Sequence, residues 1–226
     1  LLVLGAAVFA GLIPFIFLKT PEAQRAAGGL AQKIFYFHVP AAYAMYLGGT
    51  VCFIASALYL ARESDTRDAV ARAGSEVAVV FGAMVLSSGP LWAKKAWGVY
   101  WTWDPRLTTA LLSWAIYVAV VLLRNFAGEG AAERRFAAAL GVLGWFNLWL
   151  IHLSVQLWGG NHPTVITRGG GGLRDPSMGQ ALGIGFLAMT LLAAALIWLR
   201  ARLHVQRARL ERAEHLAMAS GLLGGE

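Results

Sequence analysis

Three tryptophans, a tyrosine and an acid-base pair fall within ten residues, in Trp97-Gly-Val-Tyr100-Trp101-Thr-Trp103-Asp104-Pro105-Arg106. Trp97 and Trp101 are four apart and Trp97 and Tyr100 three apart, so a helical course through this stretch sets three rings on one face. Such a face can hold a large planar apolar ligand, whereas an ordinary interfacial belt scatters one or two rings per helix end. Two histidines beside prolines add metal-binding chemistry: His38, ahead of Val39-Pro40, and His162, ahead of Pro163. Four cations, Lys33, Lys94, Lys95 and Arg106, lie near these motifs.

The elements that must carry these residues follow from composition. The 226 residues are 58% hydrophobic and 14% charged with mean hydropathy +0.59, which defines an integral membrane protein and is expected to form a single membrane domain. Charge-free runs predict six transmembrane helices at about 1–18, 39–61, 77–93, 107–123, 136–158 and 176–199, with 200–226 left as a basic tail. Pro40, Pro105 and Pro176 are read as helix starts, and Asp104 and Asp175, just ahead of two of them, as N-caps. The runs are continuously apolar and rich in Ala, Leu and Gly, so strands are not expected. The first span has no basic flank ahead of it and is read as a retained helix.

Of the 19 basic residues, eleven fall on the even connections and the tail and eight on the odd connections. The positive-inside rule therefore puts both termini in the cytoplasm. In a six-span chain the odd connections share one side whatever the orientation. His38, the Trp-rich segment and His162 thus converge on the outer face, with Lys19, Arg25, Lys33, Lys94, Lys95, Arg106, Arg168 and Arg174. Imidazoles for axial positions, rings against a macrocycle and cations for propionates match the chemistry of haem.

Blander roles compete for each residue. A histidine beside a proline also serves as a surface or capping group, Asp104 reads as an N-cap ahead of a general base, and Lys94 and Lys95 can snorkel to headgroups. Arg106 opposes the dipole of the helix it starts, so local stability does not explain it. His152, inside the fifth span, suits either a functional role or packing between helices. Trp92 and Trp114 read as lipid or packing anchors, and His204 and His215 as solvated residues of a tail suited to anionic lipids. The lone Cys52 excludes a disulfide and a Cys-x-x-Cys-His attachment, so any haem is held non-covalently, as a b-type group. The glycines at 169–172 make a flexible loop without a phosphate-binding context, and the charge of +7 points to membrane lipids rather than nucleic acid.

The pattern Trp97-Gly-x-x-Trp101-x-Trp103-Asp104, its continuation Arg106-Leu107-Thr108, His38-Val39-Pro40-Ala41-Ala42, and Ile151-His152-x-Ser154-Val155 followed by Trp158 and His162 resemble the tryptophan-rich (WWD) haem-handling membrane proteins of cytochrome c biogenesis. The short six-span chain is similar to the haem exporter component of that group. The resemblance implies that His38 and His162 are axial ligands to haem iron and that the Trp-rich segment, with Trp97, Tyr100, Trp101, Trp103 and Asp104, holds the porphyrin. The basic position five before the first histidine, an Arg elsewhere, is Lys33 here, which keeps charge but loses bidentate geometry. It further implies a bacterial inner membrane protein that presents haem at the periplasmic face. Haem then passes to a membrane-anchored periplasmic haem chaperone, in association with a small single-span maturation protein and an ABC transporter whose ATPase releases the loaded chaperone.

Two other classes fit less well. A transporter moving another substrate through the bundle would need ionisable residues inside the spans, which are nearly free of them, and a b-type cytochrome would bury its histidines within helices. An enzyme is not indicated, because no nucleophile-base pair or metal cluster is legible and no catalytic residue is assigned.

Overall fold

The computed structural model describes residues 1–23, 28–126, 130–162 and 172–220. Arg25, Arg168 and the glycines at 169–171 lie outside the described residues. Six helices account for most of the rest: α1 (Leu2–Lys19), α2 (Phe35–Ala61), α3 (Asp65–Trp97), α4 (Pro105–Phe126), α5 (Ala131–Trp158) and α6 (Pro176–Ala219). No strand occurs among the described residues, and all six helices are long and apolar enough to cross a membrane.

Helix α2 is central, packed on α3, α5 and α6, while α4 bridges α3 and α5, and α1 lies on α6. The hydrophobic effect gives little drive to helix association in lipid, so close contact between small residues carries it. Ala41, Ala44, Cys52, Ala78 and Ala193 fill the core beside Met45, Phe81, Tyr117 and Leu148. At the α2–α3 crossing a Cβ on Gly48 would lie 2.7 Å from the Ala78 nitrogen, so the backbones meet without side chains between them. A second cluster, Leu12, Ile16, Tyr36, Met178, Ala181 and Leu182, joins α1, the first turn of α2 and the start of α6.

Helix ends differ from the charge-free runs in an instructive way. Pro105 and Pro176 do open helices, with Asp104 and Asp175 ahead of them accepting from the Arg106 and Ser177 N–H groups. The bonds from Ser177 hold the Asp175 carboxyl below the usual carboxylate range. Pro40 does not start its helix. A 3-10 turn at Gly29–Ile34 runs directly into α2, which begins five residues before Pro40. That proline costs one bond, to the Tyr36 carbonyl, and the buried Tyr36 side chain anchors the turn regardless.

Helices α3, α5 and α6 also run past the apolar stretches, because ion pairs stabilise their polar turns. Arg134 and Arg212 meet Asp65, Arg135 meets Glu63, Arg124 meets Asp68, and Arg200 gives Glu76 two bonds of 2.6 and 2.8 Å. Residues 200–219, expected as a tail, therefore continue α6. His204, expected to be solvated, is buried with Nε2 3.0 Å from Glu76 Oε1, whereas His215 is exposed. A carboxylate eleven residues inside α3 supplied the partner that linear sequence does not reveal.

Candidate functional site

The antiparallel course of the helices brings the starts of α2, α4 and α6 to the same end as the finish of α3 and α5. His38 sits in the first turn of α2, against the Ser88-Gly89 step of α3. Its Nδ1 is 2.9 Å from Ser88 Oγ, and that hydroxyl spends its own proton on the Met84 carbonyl at 2.6 Å. Ser88 must therefore accept from Nδ1–H, which leaves Nε2 as the lone-pair nitrogen. A hydrogen bond on one ring nitrogen is what orients the other toward a metal. Gly89 provides the room, since a Cβ there would lie 3.3 Å from His38 Cε1.

His162 lies three residues past Gly159, the cap residue of α5, on a loop tied back to α4. Asp104 is 7% exposed and uses both carboxylate oxygens: Oδ1 accepts from Arg106 N–H at 2.9 Å and Oδ2 from Asn161 N–H at 2.7 Å. Asp104 is thus the N-cap the sequence predicted, and also the post to which the His162 loop is moored. Gly160 fits this contact through φ of +142°, and a side chain there would strike the Asp104 carboxylate.

Arg106 reaches the His162 loop, its Nη1 3.4 Å from His162 Nδ1. His152 is exposed on α5 with its ring edge-on to Tyr46, 6.4 Å between centroids.

The aromatic segment takes a different form from a helical face. Gly98, at φ of +80°, ends α3 immediately after Trp97, so Tyr100 and Trp101 leave the helix and the three rings do not share one face. Two edge-on pairs form instead: Trp92 with Trp97 at 5.3 Å and Trp101 with Trp103 at 5.8 Å. Trp92 belongs to this assembly, and its Nε1 donates to Gln32 Oε1 at 3.1 Å, fastening α3 to the 3-10 turn. Trp114 is the packing anchor expected of it, donating to the Val79 carbonyl at 3.0 Å. Lys94 donates to the Gly98 carbonyl and lies over the Tyr100 ring, while Lys95, Tyr100 and Trp103 are exposed. Trp101 Nε1 and Thr102 Oγ1 are buried and without a hydrogen-bond partner among the described residues.

Lys33 has a separate task. It is 6% exposed, and its Nζ donates to the carbonyls of Ile16, Phe17 and Thr20 at 3.0 to 3.2 Å, the open C-terminal end of α1. All three ammonium donors are taken, which directs this charge away from the His38 and His162 cluster. Ser88, Asn161 and Gly160 escaped the sequence reading. Only the polar Ser87-Ser88 pair near the end of an apolar run could have signalled a supporting role.

A multi-span helical membrane protein with paired histidines and a tryptophan-rich rim at one end of the bundle is the class that fold and site define. The profile of the family described as heme exporter protein C matches residues 1–216. A heme exporter protein C of Bradyrhizobium diazoefficiens is 32% identical over 204 residues, covering 87% of this chain and 77% of that protein. That of Escherichia coli K12 is 31% identical over 180 residues, 77% of this chain and 70% of that protein. That of Paracoccus denitrificans is 27% identical over 193 residues, 84% and 79% of the two chains. The chain belongs to the heme exporter protein C family.

Proposed function

We propose that this chain binds haem non-covalently, as a b-type group, between His38 and His162 and passes it on for cytochrome c maturation. The observation that carries the reading is the placement of His38 in the first turn of α2 and of His162, in contact with Arg106, on the loop after α5, so that two imidazoles and one cation share a polar end of an otherwise apolar bundle. Haem would bring an iron for the imidazoles and two carboxylates for the donors. His38 is already oriented by Ser88 with Nε2 available, whereas His162 Nδ1 accepts from Arg106, a group with donors only. Arg106 moving from His162 to a propionate would release that nitrogen, and the unpaired Trp101 Nε1 and Thr102 Oγ1 are further donors for a carboxylate. The rings of Trp97, Tyr100, Trp101 and Trp103 supply apolar area for the macrocycle and for a docking partner.

A site at helix ends, under an exposed aromatic rim, suits loading and unloading rather than electron transfer. The role is that of a carrier, not an enzyme. The recipient is a membrane-anchored periplasmic haem chaperone, and the assembly includes a small single-span maturation protein and an ABC transporter with its ATPase. On this proposal the chain lies in the bacterial inner membrane with the histidine end periplasmic and both termini cytoplasmic, a reading supported by the eleven basic residues on the opposite end.

The test is spectroscopic. The purified chain should carry a six-coordinate haem spectrum that changes in both His38→Ala and His162→Ala and persists in His152→Ala. An unchanged spectrum in either of the first two removes that residue as a ligand, and a larger effect in the third moves the site into the bundle.

A further inference from the structure

At the end opposite the histidines, a cavity of about 120 Å³ opens between the first turns of α3, the end of α4, the start of α5 and the extension of α6. Two buried groups in its lining have unmet hydrogen-bonding capacity. The Arg124 side chain is 4% exposed, gives Nη1 to Asp68, and leaves Nε and Nη2 buried without a partner among the described residues. Those two N–H groups form the side-on edge of the guanidinium, which grips two oxygens of one oxyanion in parallel.

His204 supplies the second group, its side chain also 4% exposed. A carboxylate only accepts, so Nε2–H donates to Glu76, and Nδ1 is left buried and unpaired. Glu76 also takes two bonds from Arg200 and lies 3.8 Å from Arg72. With Nε2–H given to Glu76, the second nitrogen of a neutral imidazole is an acceptor. A ligand that answers both groups carries two acceptor oxygens and at least one donor.

The remaining lining narrows the choice. Asp65 and Glu133 stand beside Arg72 and Arg207, so a ligand of both signs suits the cavity better than a bare anion. Its depth is that of lipid headgroups: His204 and Arg207 lie one to two turns beyond Leu199, where the apolar run of α6 ends. We propose that this cavity seats a phospholipid headgroup bearing a phosphate and a primary ammonium, as in phosphatidylethanolamine. The phosphate accepts from Arg124 Nε and Nη2, and the ammonium donates to His204 Nδ1 and the cavity carboxylates. Choline has no N–H to give, and a glycerol headgroup brings no positive charge.

Native mass spectrometry of the full chain, offered equal amounts of dioleoyl phosphatidylethanolamine, phosphatidylcholine and phosphatidylglycerol, tests this. The ethanolamine lipid should be retained about tenfold over the choline lipid, the worth of one charge-assisted hydrogen bond. That preference should vanish in Arg124→Lys, which keeps a charge beside Asp68 but loses the parallel N–H pair, so that a phosphate no longer anchored there does not seat the ammonium against His204. It should vanish equally in Ala208→Trp, which fills the lining without removing a charge. Arg209→Gln, outside the lining, should retain it. Equal retention of the three lipids, a preference for phosphatidylglycerol, or a wild-type preference in both cavity variants overturns the proposal. Displacement of the lipid by an equal concentration of soluble phosphoethanolamine would also overturn it, by assigning the seat to a free phosphate ester.

Discussion

Asp104 and Asn161, 57 residues apart, are joined by a 2.7 Å hydrogen bond from the Asn161 N–H to Asp104 Oδ2, while the other carboxylate oxygen caps α4. One buried side chain therefore fixes both the start of the helix that carries Arg106 and the loop that carries His162. The two roles can be separated. In Asp104→Ser the hydroxyl still caps α4 but does not reach two donors, so helix stability should fall by less than about 1 kcal/mol while the His162 side of the site loosens. We expect a weakened or five-coordinate haem spectrum in an inserted, folded protein. A wild-type spectrum in Asp104→Ser would show that the mooring is dispensable.

Gly160 should tolerate no side chain. At φ of +142°, and facing the Asp104 carboxylate, Gly160→Ala meets both backbone strain and a collision. Strain of this kind costs about 1 to 3 kcal/mol, enough to displace the loop rather than unfold the bundle. Unchanged thermal stability together with a haem affinity reduced about tenfold or more is the expected pair of measurements. An unaltered affinity would mean that the loop accommodates Ala in place.

Ser88→Ala removes the acceptor of His38 Nδ1–H and should lower haem affinity about 10- to 100-fold, the usual effect of losing the partner that orients a metal-binding imidazole. Ser88→Thr, which keeps the hydroxyl, should restore most of it. Equal affinities in wild type and Ser88→Ala would show that packing alone orients the imidazole.

Lys33 and Arg106 should respond in opposite ways. Lys33→Met leaves the carbonyls at the end of α1 unmet and should destabilise the fold by about 1.5 to 3 kcal/mol, with haem affinity per folded molecule unchanged. Arg106→Lys should weaken haem retention, and Arg106→Gln weaken it further, because an ammonium does not reproduce the guanidinium fork. Thermal melts and haem titrations of all three variants decide the matter. Loss of haem affinity in Lys33→Met at full stability would return that cation to the propionates, and equal loss with haem dimethyl ester in wild type and Arg106→Gln would exclude Arg106 from them.

The aromatic segment carries a further expectation. Trp97→Ala with Trp101→Ala disrupts both edge-on pairs and should abolish haem transfer while the helices remain inserted, since Trp97 is the last residue of α3 and Trp101 lies beyond it. Transfer at the wild-type rate would reduce the segment to an interfacial belt.

Apolar runs of membrane-spanning length and alternation of sides are properties of the chain alone, so six helices, a shared polar end for His38, the Trp-rich segment and His162, and the caps at Asp104 and Asp175 were all legible in the sequence. Pairing across helices was not. The polar turns of α3 and α6 are stabilised by partners such as Glu76, Arg200 and His204, up to 128 residues apart, so their helical state and the burial of His204 depend on tertiary contact. The same holds at the site. Gly98 broke the helix that would have aligned three rings, three carbonyls at the end of α1 and its cap claimed Lys33, and Asp104 turned from a local cap into a tether. Backbone preference and hydropathy act over a few neighbouring residues and are written in order along the chain. Which carbonyl, carboxylate or hydroxyl meets a given donor depends on how helices cross, and only the packed bundle decides that.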